Sequence, residues 1–562
     1  MHNFNRTHTF CQMHHFVWLQ DYHCGLIKNM LQCRHMKMNV LIGLSWPYAN
    51  GHLHLGHVAS SLPADVIARY YRDHGANVSF VSGSDCFGTP ILVTAKAENL
   101  TPNQIAEKYS QSHKRDFTDL GFTFDNYTAT LNPAHQEFAS QFHADLYDTD
   151  NVFVKTVPQL YCNHCQQYLP DRYVEGTCPY CGEHAKGDSC DHCGKILEPE
   201  DLKEPRCKLC GATPELRETK QIYLRLSQFQ NAIEKNLHDK QSQWTNNAVG
   251  MTNKYLNEGL VDRAITRNIT WGVPLPENAK KLLGDTTDKR VYIWAENVLG
   301  YLSATKAIKS DWEDFLLDDH ATNKRHYYVH AKDNIPFHSV ILPGLLLAEN
   351  KHHWHLPDYI ISSEYLNMNG KKISKSAGNY ISARQLIDNF DLDMIRYYFL
   401  RNTNDKKDAN FSFEDFVYTV NGELIDNYGN LVNRTLSFIK NKFNGEVPAM
   451  RPNPTVNQTI EHTQTEFNAL IEAGACSKAL ATAMTLVAFG NKWFSDNTPW
   501  KTLDPQVIAE CVTVIRAATA MLKYFIPVGT AKVEQWLSNK TLGEISVLYK
   551  KLDINEVKER KW

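Results

Sequence analysis

The chain has 562 residues, 43% of them hydrophobic and 22% charged, with a formal net charge of −3. That balance belongs to a globular protein with a sizeable core, and the length allows about three or four domains. It excludes a polybasic binder while leaving room for a local basic groove, and no run of about 18 apolar residues is present to cross a membrane. Residues 1–35 hold six histidines and three cysteines with no helical or strand period. They lack the apolar core and small-residue cleavage site of a signal peptide. We expect a disordered or artefactual extension there, with a metal-binding tail as the sharper alternative.

Residues 36–150 alternate strand and helix. Val40–Leu44 reads as a buried strand and Val58–Asp73 as a helix. Between them lies Ser45-Trp46-Pro47-Tyr48-Ala49-Asn50-Gly51-His52-Leu53-His54-Leu55-Gly56-His57. A helix start behind a strand is a phosphate site, because its free N–H groups and dipole face outward. His54 and His57, one turn apart, are placed to donate hydrogen bonds to a polyphosphate. An HxxH metal pair or a simple helix cap are the blander readings. Val78–Val81 is a second strand, ending in Ser82-Gly83-Ser84-Asp85-Cys86-Phe87-Gly88. Asp85 there either holds an ammonium group or caps the next helix. Helices follow over Pro102–Leu120 and Pro133–Thr149, each opening near a proline. The alternation predicts a parallel sheet with crossover helices and one cleft lined by both strand-end loops.

Residues 151–224 break this pattern. Cys162-x-x-Cys165, Cys178-x-x-Cys181, Cys190-x-x-Cys193 and Cys207-x-x-Cys210 put eight of the fourteen cysteines into 49 residues. Two CxxC turns complete a four-thiolate zinc site, so four pairs allow two ions. Disulfides are disfavoured in a chain without a secretory signal. The α/β pattern then resumes. Val291–Trp294 and His326–His330 read as strands, Ser339–Ala348 as an apolar helix and Tyr359–Ile361 as a strand. Asn367 to Asn379 is a polar turn with three lysines, which suits a mobile loop closing over triphosphate; a solvated surface turn is the bland reading. From about Phe416 the period is helical. Ile508, Val512, Ile515, Thr519, Leu522 and Phe525 share one face, and Leu480, Met484 and Val487 another, so a helix bundle is expected, broken near Arg451–Asn457. Asn430, Arg434 and Trp500 offer the amide, guanidinium and ring that unstacked RNA bases use. On its own pattern Trp500 reads as core.

His54-Leu55-Gly56-His57 and Lys372-Ile373-Ser374-Lys375-Ser376 resemble the two signatures of class I aminoacyl-tRNA synthetases, in order and separation. Pro47-Tyr48-Ala49-Asn50-Gly51, the knuckles, and Pro170-Asp171-Arg172-Tyr173-Val174 ahead of Gly176-Thr177-Cys178-Pro179 resemble the methionyl-tRNA synthetase family from about residue 38 to 530. The resemblance implies an α/β fold: a Rossmann-like catalytic domain (36–150 and 225–350) split by a zinc-knuckle insert (151–224). A KISKS loop and stem-contact region (351–415) and a helical anticodon-binding domain (416–562) would follow. It implies activation of methionine by ATP to the adenylate, then transfer to methionine tRNA.

Roles carry over by motif. His54, His57, Lys372 and Lys375 would be catalytic, and Gly56, Asp333, Ser374 and Ser376 would bind ATP with magnesium. Tyr48, Asp85, Trp294, Tyr301 and His338 would bind the amino acid. Asn430, Arg434 and Trp500 would read the anticodon. The family's best-known knuckle corresponds to Cys178, Cys181, Cys190 and Cys193, leaving Cys162, Cys165, Cys207 and Cys210 for a second zinc. A cytoplasmic monomer, without membrane contact, is expected. The sequence departs from the family at Trp46 (usually leucine), Asn297 and Val298 (alanine and proline), Asn334 (an apolar residue), Leu342 (a large aromatic) and Ala331 (a glycine). Several of these touch the amino acid pocket, so a paralogue activating another amino acid or charging another acceptor is the rival enzyme reading. A non-enzymatic RNA-binding protein is the rival outside that class.

Overall fold

The computed structural model describes residues 37–170, 173–187, 190, 192–193, 195, 197–373, 378–403, 405–560 and 562. The expectations for residues 1–35 and for Ser374, Lys375, Ser376, Asp171 and Arg172 lie outside the described residues. A five-stranded sheet organises the catalytic half, in the order Tyr359–Ser363, Lys324–Ala331, Asn39–Leu44, Asn77–Ser84, Asn126–Ala129. Every pairing in it is parallel. Asn39–Leu44 is central and buried along all six residues, which is why it reads as an unbroken apolar run. Helices cover both faces, giving one apolar core on each side of the sheet.

Expected helix starts at Pro102 and Pro133 match the helices Pro102–Asp119 and Pro133–Tyr147, capped by Thr101 and Asn132. Two expectations need correction. Val291–Trp294 is not a strand: the strand Lys289–Val291 ends at Val291, and Ile293–Glu296 is helical. Four apolar residues fit either state, and the Tyr292 N–H bonded to the Ile265 carbonyl (2.9 Å) turns the chain into a helix. The helix expected from Ser339 opens earlier, as a wide π turn over Phe337–Ile341, before the regular helix Leu342–Glu349.

The insert leaves and returns on one antiparallel ribbon. Val152–Cys162 pairs with Glu215–Leu224 from Val152 opposite Leu224 to Tyr161 opposite Glu215. Such a ribbon carries the cysteine-rich segment away from the sheet and brings the chain back to its starting point. Beyond Phe413 the chain is helical, through Asn430–Lys442, Pro454–Glu472, Cys476–Asp496 and Pro505–Leu522. All the residues assigned to apolar faces there are buried. The break near 451 ends at Asn453, which caps the next helix by accepting from the Thr455 N–H (3.0 Å). Pro505–Leu522 is the one described helix long and apolar enough to cross a membrane, and it packs in the bundle core. A fully buried Arg396 locks bundle to sheet: it donates to Asp65 (2.7 Å) on the helix Leu55–Asp73 and to the Phe525 carbonyl (2.8 Å).

Candidate functional site

The opening loop delivers His54 to the N-cap of the helix Leu55–Asp73. Nδ1 of His54 accepts from the Gly56 N–H (3.1 Å), and Nδ1 of His57 accepts from the His54 N–H (3.1 Å). The two rings lie 4.0 Å apart. Because each Nδ1 is an acceptor, each ring carries its proton on Nε2, which is left to donate. Burial lowers the His54 pKa to about 4, and burial together with His54 and His113 holds His57 well below its ordinary range. Both rings are therefore neutral donors at the free end of a helix, with no charge of their own to desolvate. Gly56 is required here: a Cβ on it would sit 2.9 Å from the His54 ring.

The described ends of the lysine loop lie against this helix start. Its leading edge is a hairpin, Leu366–Met368 against Lys371–Lys372. Asn369 and Gly370 turn it at φ +51° and +73°, the Asn-Gly pair favoured by tight hairpins. Nδ2 of Asn379 donates to the carbonyls of Met368, Lys371 and Lys372 at 3.1, 3.2 and 3.1 Å. Lys372 is exposed on the hairpin, while Ile373 reaches to 4.0 Å from where a Gly56 Cβ would stand. Downstream, Tyr380 donates to the His52 carbonyl (3.1 Å), and the Ala383 N–H donates to the Leu53 carbonyl (2.8 Å). Asp333 is exposed in the short turn Lys332–Asn334, just past the strand Lys324–Ala331.

The two strand-end loops are bonded to one another. The Asp85 N–H donates to the Pro47 carbonyl (2.9 Å), and the Ala49 N–H donates to the Asp85 carbonyl (2.7 Å). Asp85 is fully buried and does not cap the next helix, whose N-cap is Gly88. Burial and the Glu296 carboxyl push its pKa well above the usual carboxylate range. Nearby, His338 donates from Nδ1 to the Asn334 carbonyl (2.9 Å), and its Nε2 accepts from the Tyr301 hydroxyl (2.8 Å). Burial lowers the His338 pKa to about 4, which fits this neutral, accepting ring. Trp294 is half-buried with its ring 4.6 Å from Phe337, and Tyr48 is half-buried opposite Asp85.

The reading of individual residues missed how Trp46 fits. Its indole fills space left by two glycines: a Cβ on Gly83 would come within 2.7 Å of the ring, and one on Gly300 within 2.6 Å. Its edge meets Tyr301 at 6.3 Å between centroids. Also missed were the bond from Asn297 Nδ2 to Asp85 Oδ2 (2.8 Å) and the buried His135–Glu296 pair beside it. The Asn369-Gly370 dipeptide was a legible hairpin signal; nothing local marks the other two.

The eight cysteines of the insert form two groups, Cys162/Cys165/Cys207/Cys210 and Cys178/Cys181/Cys190/Cys193, each with all four sulfurs within 4.8 Å of one another. Sulfur–sulfur separations include 3.5 Å (Cys162–Cys210), 3.9 Å (Cys165–Cys207), 3.8 Å (Cys178–Cys193) and 3.6 Å (Cys181–Cys190). Four thiolates about 2.3 Å from one tetrahedral zinc stand about 3.8 Å apart, so both groups fit the ion. In the bundle, the Arg434 guanidinium lies 4.3 Å over Phe494, whose ring is 6.0 Å from Trp500. Trp500 is 50% exposed, not core, and Asn430 is exposed one turn before Arg434.

A split parallel sheet with paired histidines at one helix start and a lysine hairpin docked upon it defines a class I tRNA synthetase. The family model "tRNA synthetases class I (M)" matches residues 40–436. The chain is 41% identical over 539 residues to "Methionine--tRNA ligase 1" of Alkaliphilus oremlandii, covering 92% of this chain and 98% of that one. It is 40% identical to "Methionine--tRNA ligase" of Streptococcus pneumoniae, covering 93% and 98%. The fold matches Mycobacterium tuberculosis methionyl-tRNA synthetase in complex with methionyl-adenylate, at a TM-score of 0.74 and 20% identity over 91% of this chain and 99% of that one. The chain belongs to the methionine–tRNA ligase family.

Proposed function

We propose that this protein is an ATP-dependent methionine–tRNA ligase. The observation that carries the reading is the approach of the lysine hairpin to the histidine helix start, which would bring two motifs about 300 residues apart in the chain to one polyphosphate. The methionine carboxylate attacks the α-phosphorus of ATP, forming the mixed anhydride and releasing pyrophosphate. The ribose hydroxyl at the tRNA terminus then attacks the activated carbonyl and releases AMP. No covalent enzyme intermediate is needed, so the protein contributes positioning and charge stabilisation.

His54 and His57 donate from Nε2 to the phosphate oxygens during attack. Lys372, with Lys375, holds the β and γ phosphates, with Ser374 and Ser376 beside them, Gly56 leaving room and Asp333 near the ribose. Magnesium accompanies ATP. Asp85 takes the substrate ammonium, which restores to a buried carboxylate the partner that its surroundings withhold. Tyr48, Trp294, Tyr301 and His338 line the side-chain pocket. Trp46 narrows one wall, in space that Gly83 and Gly300 leave open, so this departure is accommodated within the pocket. Asn430, Arg434 and Trp500 receive the anticodon bases by edge bonding and stacking. Two zinc ions, one on each cysteine group, hold the knuckles; four thiolates leave no open position for substrate.

Aminoacylation of methionine tRNA, run with methionine and with each other amino acid, tests the reading. Charging restricted to methionine supports it. Exchange driven by a different amino acid supports the paralogue instead.

A further inference from the structure

Asp85 sits where two strand-end loops join, and its backbone is bonded on both sides, so its side chain has little freedom. Oδ1 accepts from the Phe87 N–H (3.3 Å), and Oδ2 accepts from Asn297 Nδ2 (2.8 Å). Each carboxylate oxygen has two lone pairs, so one on each stays available. We propose that Asn297 is a positioning residue for the amino acid substrate: its side-chain amide fixes the direction of the Asp85 carboxyl, so that the remaining lone pairs meet the substrate's ammonium group. The inference rests on the reading that Asp85 is the ammonium site.

The chemistry around Asp85 shows why an amide is needed. Glu296 precedes Asn297 on the same helical turn, and its buried carboxyl disfavours a second charge next to it. His135 engages Glu296 from one ring nitrogen and meets the Ser303 hydroxyl (2.8 Å) from the other, so it is committed away from Asp85. The Tyr301 hydroxyl is committed to His338. Cys86, next in the chain, is held as a neutral thiol by burial and by Asp85. Burial and the Glu296 carboxyl favour a protonated Asp85, which would attract no ammonium. The Asn297 and Phe87 N–H groups act in the opposite direction, because a hydrogen bond to the charged form favours it. Lysine or arginine in that place would also ionise Asp85, but would neutralise it and repel the incoming ammonium. An amide orients without competing. Asn297 is only half-buried, so replacing it does not empty the core.

The test uses the full-length, zinc-loaded protein in methionine-dependent ATP–pyrophosphate exchange, as a function of pH, for the wild type, Asn297→Ala, Asn297→Asp and Asp85→Ala. A lost hydrogen bond to a charged group predicts that Asn297→Ala raises KM for methionine about tenfold, with kcat and KM for ATP within about twofold. The acid limb of kcat/KM for methionine reports ionisation in the free enzyme and moves to higher pH. Asn297→Asp sets carboxyl against carboxyl and moves both quantities further in the same direction. An unchanged KM and acid limb in Asn297→Ala, or a loss confined to kcat, overturns the inference. Asp85→Ala separates the two levels. If it leaves KM for methionine unchanged, the ammonium site itself is misplaced. If it raises KM while Asn297→Ala does not, only the role of Asn297 falls.

Discussion

The proposed phosphate end and the proposed amino acid end of the site are built in different ways. The phosphate end is made of backbone: a helix start, two imidazoles tied to its N–H groups, and a hairpin laid across them. Each of its two parts is a short contiguous segment, so few substitutions are compatible with it. The amino acid end is made of side chains from distant segments that meet in the core: Trp46, Asp85, His135, Asn297, Tyr301 and His338. There a change at one position is absorbed at another, as Trp46 is by Gly83 and Gly300. One end fixes the chemistry, and the other has latitude in shape.

Breaking the amino acid end at its charge has the largest expected effect. Asp85→Ala leaves an ammonium group without its buried partner, a loss of several kcal/mol when one member of such a pair is truncated. We expect kcat/KM for methionine to fall roughly a thousandfold in pyrophosphate exchange, with ATP binding, measured by calorimetry, retained. If the two ends were not separable, ATP binding would fall in parallel.

The phosphate end is broken at His57. Removing one preorganised donor from a transition-state site costs about a hundredfold in rate. His57→Ala should lower kcat by that order and leave KM for methionine in place, the reverse split from Asp85→Ala. Acid acts on the same pair. His54 has a folded-state pKa of about 4, below the ordinary value of 6.5, and burial holds His57 well below that value too. The folded state therefore binds fewer protons than the unfolded one, and this contribution to stability is complete above pH 6.5. It is lost as pH falls towards 4, because protonation puts a hydrogen on the Nδ1 atoms that must accept. Urea midpoints of the wild type should fall through that window, and a His54→Gln variant should show a shallower fall.

These differences explain what the sequence made legible. The alternation of strand and helix, the helix starts at Pro102 and Pro133 and the two cysteine groups are local patterns, and each appears where its pattern lies. The short apolar run Val291–Trp294 was misread because its state depends on a bond from Tyr292 to Ile265, which no local period reports. Trp500 reads as core on its own pattern, but its ring partner, Phe494, comes from another helix and leaves half of it exposed. Asn297 was visible only as a departure from a family pattern; its role required the distance to Asp85.

The latitude of the amino acid end is sharpened at Gly300. A Cβ there would stand 2.6 Å from the Trp46 ring, and overpacking of a filled core costs about 1–3 kcal/mol. Gly300→Ala should lower the urea midpoint by a matching amount. Adding Trp46→Leu should recover most of it, since the smaller side chain vacates the contested space. Recovery identifies Trp46 and Gly300 as one compensated unit; strictly additive losses would show that they are independent.

The smallest effect is expected where the phosphate end is held by a single side chain. Asn379 staples the hairpin through three carbonyls, and the following residues tie the loop to His52 and Leu53. Asn379→Ala removes the staple and leaves the downstream ties, so Lys372 keeps its neighbourhood but loses its fixed approach. A neutral hydrogen bond contributes about 1 kcal/mol net, which predicts about a fivefold rise in KM for ATP. KM for methionine should not move, because among the described residues the bonds of Asn379 go to the hairpin and not to the Asp85 pocket. If it did move, the hairpin would be acting on both ends at once.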